Sequence, residues 1–160
     1  MTHDSRLTLA LRALLHARRV AALGTVGDDG AAFVSMVPFA MEPTQGAVII
    51  HVSGLAAHTG NLLARPHVSL LVMESEVAGE PVHALARVTL EGTARKLEPG
   101  SAAWETSRTA YLARFPEAEP LTQLGDFVFV AITIMQARQV AGFGAARSID
   151  AHEVRRAMLQ

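Results

Sequence analysis

Residues 51–73 read HVSGLAAHTGNLLARPHVSLLVM, two apolar runs joined by a crossover dense in polar side chains. The segment LAAHTGNLLAR (55–65) favours a short helix, and Pro66 ends it before HVSLLVM (67–73) resumes as a strand. A strand closing at Val52, followed by Ser53, Gly54 and a helix starting near Ala56, brings unpaired backbone N–H groups and the positive end of a helix dipole to one place. Ser53, His58 and Thr59 add side-chain donors beside those amides, a pattern that accepts a phosphate or carboxylate. The alternative is a plain strand-to-helix junction whose hydroxyls cap the helix. An anion site also calls for a formal positive charge. Arg87, mid-strand on a polar face, is the candidate for that charge if it is not an ordinary solvated strand residue.

Outward from the crossover, strand patterns dominate. VAALGTV (20–26), the turn GDDG (27–30) and AAFVSMVPFAM (31–41) predict a hairpin, and EPTQG (42–46) turns into AVIIHV (47–52), a β-branched run suited to a buried strand. In HALARVTLEGTARKLE (83–98), His83, Arg87, Thr89 and Glu91 alternate with Ala84, Ala86, Val88 and Leu90, which predicts a long strand with one apolar face. FVFVAITIM (127–135) is a further strand, and ARQVAGFG (137–144) reads as the final one. Helices are expected over 5–18, where Leu7, Leu11, Leu14 and Leu15 recur at helical spacing, over 101–115, and over 149–159. Short turns between strands, with helices at the ends and one crossover, give a mainly β chain: a closed or partly closed antiparallel barrel with flanking helices. No linker or repeat divides it, so residues 1–160 are expected to form one domain.

Composition narrows the function. Fourteen basic and fifteen acidic residues leave a net charge of −1, which lacks the basic footprint of a nucleic-acid binder. The chain has no cysteine, which excludes thiolate nucleophiles, Fe–S clusters and Cys-based zinc sites. His51, His58 and His67 show no short ligand spacing, so no metal site is expected. There is no G-x-S-x-G elbow, and Gly142-Phe143-Gly144 is too short for a dinucleotide loop. Arg12, Arg18 and Arg19 interrupt the apolar N-terminal segment, and no later run is long enough to span a bilayer, so a cytoplasmic protein is expected. Half the residues are hydrophobic and only 18% are charged, which points to further burial in a homodimer.

The tracts AALGT, GDDGAAFVSMVPFAM, SGLAAHTGNLLARPHVSLLV, ALARVTLEGTA and VAGFGAA together resemble the pyridoxamine 5'-phosphate oxidase-like FMN-binding split barrels, and most of all their haem-utilisation (HugZ-type) branch. The likeness covers roughly residues 6 to 150. It implies a six-stranded antiparallel FMN-binding split barrel, paired as a homodimer with FMN between the subunits. By the same resemblance Ser35, Met36, Val37 and Pro38 lie along the flavin ring. His51, Val52 and Ser53 then line the ribityl and phosphate side, while His58, Thr59, Asn61 and Arg87 lie at or near the phosphate. The C-terminal Trp and the Arg-x-His signature of true pyridoxamine 5'-phosphate oxidases are absent after residue 135, so that activity is not expected. The function implied is an FMN-dependent oxidoreductase acting on a small molecule. The alternatives are a haem-binding or haem-degrading protein on the same barrel and a non-catalytic flavin-binding module. No catalytic residue is assigned.

Overall fold

The computed structural model describes residues 4–160. Helix α1 (Arg6–Ala17) leads into the hairpin β1 (Val20–Val26) and β2 (Ala32–Pro38), closed by a turn in which Gly30 takes φ +81°, a conformation that costs other residues more. β3 (Ala40–Glu42), β4 (Ala47–Ser53), α2 (Ala57–Ala64), β5 (His67–Met73) and β6 (Arg87–Lys96) follow. After α3 (Ala102–Arg114) and a 3-10 segment at Pro116–Gln123 come β7 (Phe127–Val140), β8 (Ala146–Asp150) and α4 (Ala151–Met158). Ser5, Ser101 and Asp150 each cap a helix by accepting the backbone N–H three residues on.

The strands form one antiparallel sheet in the order β2-β1-β5-β6-β7-β4-β3, with β8 also paired to β7. Its two edges, β2 and β3, are adjacent in the chain and separated only by Phe39, which is fully buried and whose N–H donates to the Arg19 carbonyl at 3.1 Å. The sheet therefore curls until one bent strand serves both edges, which makes a split barrel. β4 takes one half of β7 (Phe127–Thr133) and β8 the other (Gln136–Val140).

Side chains facing into the barrel form the main core: Leu23, Val37, Val48, Ile50, Leu70, Val88, Leu90 and Ile132, joined by Leu11 and Leu15 of α1 and Val154 of α4. Full burial of each Leu or Ile contributes roughly 1.5–3 kcal/mol. A second cluster lies outside the barrel, where α3 covers β3, β4 and β7 with Tyr111 and Phe115 against Ile49, Phe129 and Ala131.

Several expectations change here. The sheet has eight strands rather than six. The strand expected over 83–98 runs only from Arg87 to Lys96, because residues 82–84 form a 3-10 turn after Pro81. The run 31–41 breaks at Phe39, where the chain changes sheet edge. Residues 127–135 and 137–144 are not two strands. They are the single fourteen-residue β7, whose alternation slips by one residue where Glu91 pairs with Gln136 but Gly92 pairs with Ile134. Met135 is the extra residue of that bulge, and the final strand is 146–150.

The bulge depends on Gly92. A Cβ there would lie 2.4 Å from the Thr133 carbonyl oxygen and 2.9 Å from Ile132. Gly92→Ala should therefore cost about 3 kcal/mol. Gly60→Ala, in α2 with open space around it, should be neutral or stabilising by up to about 1 kcal/mol. Urea denaturation of the two variants tests this, and equal midpoints would contradict it.

Candidate functional site: the open outer face of the barrel

The barrel's outer surface divides in two. α3 covers the part built from β3, β4 and the first half of β7. No element of the described chain covers the part formed by β2, β1, β5, β6 and the second half of β7. Strand pairing sets the rows of side chains on this open part: Val34, Gly24, Ser69, Glu91 and Gln136 form one, and Met36, Ala22, Leu71, Thr89 and Arg138 the next. Gly24, Ser69 and Ala22 are small, the β2 flank carries Val34 and Met36, and the β6–β7 flank carries Glu91, Gln136 and Arg138 with Met135 beside them. A trough results. Val34 and Met36 on β2 and Met135 on β7 are 67%, 64% and 60% exposed, large apolar groups at the two sides of the open face.

Part of the trough is a cavity of about 580 Å³ lined by Gly24, Val26, His67, Ser69, Glu91 and Met135 among others. A second hollow of about 370 Å³ continues along the same face past Ala22, Met36, Leu71 and Met73. The bulge turns Met135 outward into the first cavity, and the Gln136 amide donates to Glu91 beside it. His67 begins β5 and projects on this face opposite Thr93. Arg87 and Arg138 add two guanidinium groups to the same face.

The residues expected around a flavin do not gather at one point of a single chain. Ser35 and Val37 face inward. Ser35 meets His58 of α2, its Oγ lying 2.9 Å from Nδ1, and burial lowers the pKa of that imidazole. The Asn61 amide donates to Thr25 Oγ1 at 3.1 Å, and Val52 belongs to the barrel core. Met36 and Pro38 alternate to the outer face. Arg87 lies on the outer face at the far side of β1 and β5 from β2, where its guanidinium donates to the carbonyls of Leu85 and His83 at 2.8 and 3.3 Å.

The junction at 53–59 is held by its own hydrogen bonds. Thr59 Oγ1 donates to the Ser53 carbonyl at 2.6 Å, Ser53 Oγ accepts from Leu55 N–H, and Ala56 caps α2 without a side-chain bond. Ser53 Oγ also donates to the Asp126 carboxylate at 3.3 Å, and Gly54 N–H donates to the Asp126 carbonyl at 2.6 Å. A carboxylate beside the junction works against a bound anion.

His51 takes yet another direction. Its β4 neighbours Val48, Ile50 and Val52 fill the barrel, whereas His51 lies on the α3 side among Tyr111, Phe127 and Phe129, its ring 4.3 Å from that of Phe129. Burial lowers its pKa from 6.5 to about 4, so the ring is neutral at pH 7. Among the described residues no group of three His, Cys, Asp or Glu side chains converges on a metal position, and no helix is long and apolar enough to cross a membrane.

Strand order and flanking helices together define a split barrel. The model of the pyridoxamine 5'-phosphate oxidase family matches residues 7–141, and the chain belongs to that family. Within it the likeness runs to the haem-utilisation branch. The chain is 29% identical over 152 residues to heme oxygenase HutZ of Vibrio cholerae, covering 94% of this chain and 85% of HutZ. It is 39% identical over 113 residues to the chloroplastic non-canonical heme oxygenase HOZ of Arabidopsis thaliana, covering 70% of this chain and 32% of HOZ. A solved heme binding protein from Mycobacterium smegmatis superposes with a TM-score of 0.84 at 25% identity, over 98% of this chain and 62% of that one.

The buried imidazole makes a pH prediction. His51 takes up a proton near pH 6.5 when unfolded but only near pH 4 when folded, so acid favours the unfolded state. Its contribution is complete above about pH 6.5 and is lost as the pH falls towards 4, by roughly 2–3 kcal/mol at most. His51→Phe should flatten the stability profile across that window. A profile parallel to wild type in urea melts from pH 7 to 4.5 would contradict it.

Proposed function

We propose that the protein binds haem on the open outer face, between two copies of the chain, and serves haem utilisation. The observation that carries this reading is the trough itself, an apolar cavity of about 580 Å³ with an imidazole at its edge. A porphyrin asks for flat apolar walls, a nitrogen or sulfur ligand for iron, and cations for its propionates. The small floor at Ala22, Gly24 and Ser69 and the apolar flanks Val26, Met36 and Met135 meet the first need. His67 meets the second, and Arg87 and Arg138 meet the third. Bound there, haem supplies iron-centred redox chemistry. The chain's own residues hold the ring, exclude water with the methionine and valine flanks, and ligate through His67. The names of two relatives, both haem oxygenases, support turnover of the bound haem as the activity.

A second copy supplies the missing cover. Val34, Met36 and Met135 stand exposed on a face that no helix of the described residues shields, and pairing such faces buries them. FMN on the same face is the second reading, supported by the family membership. Flavin and haem have distinct visible bands, which separate the two.

Titration of purified protein with hemin should give a saturable, shifted Soret band, and His67→Ala should weaken binding and alter that band. Hemin spectra indistinguishable from free hemin would overturn the haem reading, and an unaltered His67→Ala spectrum would remove His67 as ligand. Light scattering after size exclusion should find a dimer for wild type and a monomer for Val34→Asp/Met36→Asp. A wild-type monomer would overturn the paired-face arrangement.

A further inference from the structure

On the part of the outer surface that α3 covers, away from the trough, lies a separate cavity of about 210 Å³. Trp104 of α3, Phe127 and Phe129 of β7, Leu97 after β6 and Leu124 of the preceding loop wall it, and His51 of β4 opens onto it. Trp104 and Phe129 meet edge to face at 86°, with ring centroids 5.8 Å apart. That arrangement leaves aromatic surface facing the space.

Two observations distinguish this cavity from a packing gap. First, His51 is only 8% exposed and its ring makes no hydrogen bond among the described residues, although an imidazole carries one donor and one acceptor. Its ring nitrogens are not sealed from solvent, so they open into a cavity lined by aromatic and apolar side chains together with Thr122 and Gln123, and can exchange water for the polar group of a ligand. Second, apart from His51 no lining side chain is ionisable, and His51 is itself neutral at pH 7. A charged ligand would find no counterion there. An engineered apolar cavity of about 150 Å³ holds benzene, so about 210 Å³ suits one substituted ring.

We propose that this cavity binds a small uncharged aromatic molecule bearing a hydroxyl or N–H, of the phenol or indole class, with its polar hydrogen donated to the His51 ring. The aromatic walls supply stacking and edge contacts, and His51 selects for the polar group. The site stands apart from the haem reading, since it lies under α3 in the other part of the barrel's outer surface and shares no lining residue with the trough.

Trp104 is the only tryptophan of the chain and lines the cavity, so it reports occupancy directly. Titration with p-cresol, exciting at the red edge of tryptophan absorption, should change Trp104 fluorescence saturably. Toluene, the same shape without the hydroxyl, should bind roughly tenfold more weakly, the worth of one hydrogen bond to a neutral partner. His51→Phe keeps an aromatic ring in an aromatic cluster and should bind the two probes equally. No saturable change with p-cresol, or equal affinity of wild type for both probes, would overturn the proposal. The wild-type comparison decides alone should the variant fail to fold.

Discussion

The fold depends on a single bend. β2 and β3 are one run of chain broken at Phe39, and because β2 pairs with β1 while β3 pairs with β4, this run must serve both edges of the sheet. That constraint curls the sheet and turns half of every strand's side chains into a closed apolar interior. Phe39 sits fully buried at the bend, and the Arg114 guanidinium lies over its ring at 4.9 Å.

Once the interior is filled, function falls to the exterior. α3 occupies the outer surface over β3, β4 and the first half of β7, and in doing so makes the aromatic pocket around His51. The rest of the outer surface remains open, with small residues at Ala22, Gly24 and Ser69, apolar ones on β2, and Met135 among polar ones on β6 and β7. The Gly92 bulge links the two regions, since the same one-residue slip that keeps β7 continuous turns Met135 out into the trough. Strand register and site geometry thus meet at one glycine.

Much of this was legible in the sequence. Alternation in 87–94 assigns Val88 and Leu90 inward and Arg87, Thr89 and Glu91 outward, as found. The strands at 20–26, 47–53 and 67–73 follow their β-branched and apolar runs. What escaped did so for physical reasons. A bulge breaks the two-residue period, so β7 read as two strands. In AVIIHVS both faces are apolar, because one packs the barrel and the other packs α3, and nothing in that run says which way His51 points. The polar crossover suggested an anion cradle because Ser, His and Thr donors are close in sequence. The fold spends those donors internally and brings Asp126, from seventy-three residues away, against Ser53. The open face had no local signature at all: Val34, Met36, Gly24, Ser69 and Met135 become neighbours only through strand pairing.

The place of the haem decides whether the open face is the functional site. A crystal of the haem-loaded protein, measured at the iron absorption edge, locates the metal without reference to any assumed site. The account predicts an anomalous peak over Gly24 and Ser69 beside His67, at a face shared by two copies of the chain. A peak inside the barrel, or on the α3 side, or no ordered iron at all, would contradict it.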